Sequence, residues 1–285
     1  MTIKRVGVIG SGIMGGGISE VASLAGCEVV LRSRELATAE GTLARVDRSL
    51  AKRVEKGNLP SEDHAAAVAR IAATSNLHDL ADCDLVIESV VEDIATKRQV
   101  FAELDRICHD QTILATNTST LAVVDLAMQT GRPEKVCGIH FFNPAPAMGL
   151  VEIVRPITAV DETIEEAKAF AEACGKTAVV VKDQAGFIVN ALLFPYLNNA
   201  VRLLEQGVAS MEDIDEAMKG GCGFPIGPFA LLDLVGLDTS LAILEALYDE
   251  HRDHNYAPVP RLRRMVAAEK LGRKAGEGFY RYRRS

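Results

Sequence analysis

No two of the six cysteines, at positions 27, 83, 108, 137, 174 and 222, form a C-x-x-C pair, and none has a histidine at ligand spacing. That scatter excludes a zinc module and a disulfide framework, and predicts reduced thiols, no metal and a cytoplasmic protein. Equally, no apolar run approaches the roughly 18 residues of a membrane span, so no membrane partner is expected. A strand read from Ile3 onward leaves no expectation of a secretory leader. An excess of positive charge is missing too. The net charge of -8 argues against a nucleic-acid surface, leaving Arg261, Arg263 and Arg264 as a local patch that either faces solvent or meets an anion. Repeats and low-complexity tracts are absent. The 285 residues are 48% apolar, ample for real cores in either two domains or one large α/β unit.

Against that background one stretch stands out, Val6-Gly7-Val8-Ile9-Gly10-Ser11-Gly12-Ile13-Met14-Gly15, in which an apolar strand enters a G-x-G-x-x-G loop and then a helix. It reads as a dinucleotide site, with Ile13 and Met14 part of the same loop. Gly10 allows the tight turn, Gly12 lets backbone approach a pyrophosphate, and Gly15 lets helix and strand pack closely. Phosphates would then sit over the exposed N–H groups of the helix. The second strand ends in Arg32-Ser33-Arg34, where a site for NAD would carry Asp or Glu for the ribose hydroxyls.

Strand-like runs at 6–9, 29–31, 85–91, 112–115, 136–141, 151–154 and 178–181 alternate with helical patterns. The alternation predicts an α/β unit over 1–183, a Rossmann-type, doubly wound and mostly parallel sheet. Two helical segments, 35–56 and 61–70, joined at Gly57-Asn58-Leu59-Pro60, predict a helical hairpin of about 35–72 projecting from it. Residues 184–285 read as an all-α second domain with helices at 187–204, 211–218, 231–247 and 260–269. The first of these is apolar on too much of its circumference to be wetted on one side, and Pro195 should kink rather than end it.

His140 closes an apolar strand and Glu152 lies in the next, six residues on either side of Pro146. An antiparallel pairing about that proline makes them cross-strand neighbours. The carboxylate would fix the imidazole tautomer and stabilise the protonated ring, as a general base needs. Ser119, in Asn117-Thr118-Ser119, follows a strand and falls in the crevice where such sheets bind ligands. Asn190 is an amide set among apolar side chains, costly to bury without a partner.

These motifs, together with His140-Phe141-Phe142-Asn143-Pro144, Gly186-Phe187-Ile188-Val189-Asn190, Gly227-Pro228-Phe229, Gly236-Leu237-Asp238 and Leu271-Gly272-Arg273-Lys274, resemble the short-chain 3-hydroxyacyl-CoA dehydrogenase family over residues 6–282. The resemblance implies an oxidoreductase that interconverts (S)-3-hydroxyacyl-CoA, 3-hydroxybutyryl-CoA foremost, and the 3-ketoacyl-CoA with a nicotinamide cofactor. It implies His140 as catalytic base with Glu152 as its partner, and Ser119 and Asn190 around the reacting oxygen. Glu92, Lys97, Asn117 and Asn143 match cofactor-side positions, and Ser49 and Lys56 match positions that meet CoA. A homodimer through the helical domain is implied as well.

The departure at Arg32-Ser33-Arg34 predicts NADP(H) ahead of NAD(H). A carboxylate there repels a 2′-phosphate, and two guanidinium groups in its place attract one. No lysine occupies 187–204, which argues against the relatives that act on free β-hydroxyacids with a lysine in that helix. An acyl-carrier-protein thioester, a carbohydrate acid or a non-catalytic role are the alternatives.

Overall fold

The computed structural model describes residues 3–282. The chain forms two compact units that part between Asp183 and Gln184. In the first, β1 (Arg5–Ile9), β2 (Glu28–Arg32), β3 (Ile71–Thr74), β4 (Leu85–Glu88), β5 (Ile113–Thr116), β6 (Val136–Phe141), β7 (Leu150–Arg155) and β8 (Thr177–Lys182) make one sheet in the order β3-β2-β1-β4-β5-β6-β7-β8. Every neighbouring pair is parallel except β6 with β7. That exception follows from chain length: residues 142–149 are too few for the crossover of a dozen or more residues that a parallel return requires.

Strands β4, β5 and β6 are buried along their whole length, which is why they read as continuous apolar runs. Around the sheet lie α1 (Ile13–Leu24), α2 (Leu36–Glu55), α3 (Ser61–Ala69), α4 (Ile94–Ile107), α5 (Val123–Ala127) and α6 (Asp161–Ala173). Two expectations change here. The hairpin of 35–72 is α2 and α3 alone, and residues 71–72 belong to β3, an edge strand hidden in the sequence because its four residues follow directly on a helical pattern. The hairpin also lies back on α1 rather than standing clear. Val46, Leu50 and Ala67 join Ile18, Val21 and the strand residues in one core, each large aliphatic side chain contributing roughly 1.5–3 kcal/mol by burial.

The second unit contains α7 (Val189–Glu205), α8 (Met211–Cys222), α9 (Pro228–Val235), α10 (Leu237–His251) and α11 (Pro260–Ala267). The single helix expected at 231–247 is thus two. Gly236, at φ +102°, breaks it in a conformation that side chains rarely adopt. Pro195 sits inside α7, which continues through it. Buried Asp215 accepts from Phe229 N and Ala230 N at the start of α9 and from the Tyr280 hydroxyl. Asp233 holds the C-terminal turn by accepting from Phe279 N, Tyr280 N and the Tyr282 hydroxyl.

Candidate active site

The glycine loop joins β1 to α1 at the carboxyl edge of the sheet. A Cβ on Gly10 would meet Ser89 O at 2.2 Å and one on Gly15 would meet Gly10 O at 1.7 Å, so both glycines are required by backbone packing. At Gly12 an added Cβ meets nothing within 4 Å. The first turn of α1 has no side-chain cap, and Ile13 is 75% exposed. Packed glycines on either side of an open one, with uncapped N–H groups behind it, fit a dinucleotide pyrophosphate. Beside the loop, Ser33 Oγ is 2.9 Å from Ser11 Oγ, half-buried Arg32 reaches Ser75 O, and Arg34 is exposed. Arg45 of α2 donates through Nη2 to Ser11 O at 2.9 Å, a third cation at this end of the loop that its exposed helical position concealed in the sequence.

Three strands further along the sheet, the register pairs His140 with Glu152. Both are buried, and His140 Nδ1 lies 2.8 Å from Glu152 Oε2. A carboxylate there accepts the Nδ1 proton and leaves Nε2 as the basic nitrogen. Nε2 is 3.0 Å from Ser119 Oγ, and the Phe142 ring packs on the imidazole with centroids 4.5 Å apart.

Ser119 is held in turn. Glu92 Oε1 accepts from Ser119 N at 2.9 Å and from the Thr118 hydroxyl, while its Oε2 lies 3.2 Å from Lys97 Nζ. Lys97 is fully buried and donates to both oxygens of Glu88 at 2.8 and 2.9 Å. Asn117 ties the ends of β4, β5 and β6 together, donating from its backbone to Glu88 O and accepting from Phe141 N at 2.9 Å.

The structure therefore gathers Glu92, Lys97, Asn117, Ser119, His140 and Glu152 into one connected set. Ser49 and Lys56, on α2 and at its C-terminal cap, lie outside that set, and Asn143 is exposed at the start of the β6–β7 loop. Asn190 is buried near the start of α7 in the second unit. Sequence reasoning missed Glu88; its signal was a carboxylate closing the apolar run Leu85-Val86-Ile87, which demands a buried partner. It also missed Lys176, whose Nζ donates to Ala145 O and Met148 O at 2.8 Å each and so braces the loop after His140. Burial pulls the Lys176 amine below its usual range.

A glycine loop opening a parallel sheet, with a buried histidine–carboxylate pair beyond it, defines a dinucleotide-dependent dehydrogenase. The chain belongs to the 3-hydroxyacyl-CoA dehydrogenase family: residues 5–184 match the model for its NAD binding domain and residues 186–282 that for its C-terminal domain. The 3-hydroxybutyryl-CoA dehydrogenase of Bradyrhizobium diazoefficiens is 45% identical over 99% of this chain and 96% of that protein. The Mycobacterium tuberculosis protein of the same name is 43% identical over 98% and 99%. Among solved structures, the (S)-3-hydroxybutyryl-CoA dehydrogenase of Ralstonia eutropha superposes with a TM-score of 0.97 at 41% identity, covering 99% of this chain and 100% of that one.

Proposed function

We propose that this protein interconverts (S)-3-hydroxyacyl-CoA and 3-ketoacyl-CoA, with 3-hydroxybutyryl-CoA and acetoacetyl-CoA as its main pair. The Ser119–His140–Glu152 chain carries the reading. In the oxidising direction His140 Nε2 takes the proton of the 3-hydroxyl, and Glu152 steadies the imidazolium through Nδ1–H. Ser119 Oγ, already at hydrogen-bond distance from Nε2, is placed to donate to the same substrate oxygen as it becomes a carbonyl. When bound, the nicotinamide cofactor supplies the hydride acceptor for oxidation or the donor for reduction. Residues 10–15 would hold its phosphates. In this reading Asn190 meets the substrate near its reacting oxygen, and Ser49 and Lys56 meet the CoA handle.

The cofactor in this reading is NADP(H) ahead of NAD(H). Its support is the absence of a carboxylate at Ser33, whose hydroxyl meets Ser11, with Arg32 and Arg34 on either side of it in the chain and Arg45 donating to Ser11 O. We place the protein in the cytoplasm as a homodimer through its helical unit. Six free thiols suit the first placement; exposed Leu192, Leu234 and Phe224 suit the second.

Steady-state reduction of acetoacetyl-CoA with NADPH and with NADH tests both parts. Turnover of acetoacetyl-CoA supports the reaction, and a higher kcat/KM with NADH overturns the cofactor preference. A faster rate with a carrier-protein thioester would replace CoA as the handle. His140→Ala should keep cofactor binding and lose turnover by about a hundred-fold or more, and near-parental rates would remove His140 from its role.

A further inference from the structure

Behind the site, a buried lysine stands between two carboxylates. Lys97 and Glu88 have no exposed side-chain surface, and Lys97 Nζ touches both Glu88 oxygens. Glu88 also accepts from Val90 N at 2.6 Å and from the Thr116 hydroxyl at 2.8 Å, so these contacts all point into the protein. A buried ion pair is seldom more stable than apolar side chains of the same volume, which leaves its presence here to be explained by something other than stability.

The explanation lies one bond further. Lys97 reaches past Glu88 to Glu92 Oε2, and the other oxygen of Glu92 holds the backbone N–H of Ser119. With Lys97 on one oxygen and the Ser119 loop on the other, the Glu92 carboxylate is gripped from both sides. From Glu88 to the imidazole of His140 the links are Lys97, Glu92 and Ser119, each at hydrogen-bond distance from the next.

We propose that Glu88 is a positioning residue for the reaction: by anchoring Lys97, it fixes Glu92 and so sets where Ser119 stands against His140. The proposal rests on the reading of His140 as the base. Lys97, with no exposed side-chain surface, then acts through Glu92 from inside the protein and not by the cofactor contact that the resemblance implied for it.

Removing one partner alone, as in Glu88→Gln, leaves the buried Lys97 charge with only the partly exposed Glu92 carboxylate and is expected to cost the fold. The informative variant is E88Q/K97M, which removes both charges, leaves an amide oxygen to accept from Val90 N and an amide N–H to donate to the Thr116 hydroxyl, and fills the lysine stem with a methionine. Its melting temperature should stay near that of the parent while kcat falls by about ten- to a hundred-fold, as displaced catalytic groups do. KM for the reduced cofactor should stay within about two-fold. Adding Ser119→Ala should cost little more than either change alone, because both break the same chain. Losses that multiply, an unchanged kcat, or a rise in cofactor KM alone would each overturn the proposal. Should E88Q/K97M not fold, Glu92→Gln, at a partly exposed side chain, takes its place in the same cycle with Ser119→Ala. His140→Ala assayed alongside separates the two readings. Near-parental turnover there removes the base itself, whereas an inactive His140→Ala with multiplying losses removes only the positioning role.

Discussion

Ser33 illustrates how much one side chain changes in a dinucleotide site. Its hydroxyl shares a hydrogen bond with Ser11 inside the glycine loop, at the place where a carboxylate would accept from ribose hydroxyls and repel a phosphate. Ser33→Asp should lower the ratio of kcat/KM for NADPH to that for NADH by about ten-fold or more, read in parallel steady-state assays. A ratio left unchanged would mean that this end of the loop does not discriminate. Glu152→Gln makes the matching test at the base. An amide in that buried pair removes the negative charge that steadies the imidazolium, so kcat should fall by roughly a hundred-fold or more while cofactor binding persists. The facing of His140 and Glu152 was legible in the sequence, because a short turn fixes antiparallel register and both strands are continuous apolar runs. Glu88 and Arg45 were not, since Glu88 matters through Lys97 on the next helix and Thr116 on the neighbouring strand, and Arg45 through Ser11, 34 residues back.

At the scale of elements, glycine and aspartate decide where helices stop and what they hold. Gly236 splits one apolar run into α9 and α10, an outcome that apolar periodicity could not reveal because the run continues through it. Asp233, near the end of α9, is the acceptor for three donors of the C-terminal turn. In Asp233→Ala those donors lose their acceptor at about 1–3 kcal/mol for each left buried, and the turn at 278–282 should exchange its amide hydrogens faster. Chemical denaturation and hydrogen exchange would show both effects; protected amides in that turn would rule the anchoring out. Burial and then Asp215 push the Tyr280 phenol up, so it remains a neutral donor to Asp215 throughout the physiological range. The hairpin was legible as two helices, but its docking on α1 follows from Val46, Leu50 and Ala67 sharing the core of the sheet.

For the whole molecule, exposure sorts the thiols. Burial pushes Cys83, Cys137 and Cys174 up to about 12 and Cys108 to about 11, whereas Cys222 is exposed. The thiolate is the reactive form, so a thiol reagent at mildly alkaline pH should find one fast equivalent, abolished by Cys222→Ser. Several fast equivalents would contradict the burial of Cys27, Cys83, Cys108 and Cys137 and the raised Cys174 thiol. Leu192, 72% exposed on α7, tests the proposed dimer: Leu192→Asp should shift the mass measured by light scattering from two chains to one, and a monomeric parent would end that proposal. The sequence by itself determined the α/β alternation, the glycine loop and the antiparallel register of His140 with Glu152, because each depends on spacing between near neighbours. Only the tertiary structure decided that Ser119 meets His140, 21 residues away, or that Arg45 reaches the glycine loop from 34 residues away. Such contacts depend on strand order and helix docking, which the burial of apolar side chains from the whole sheet settles together.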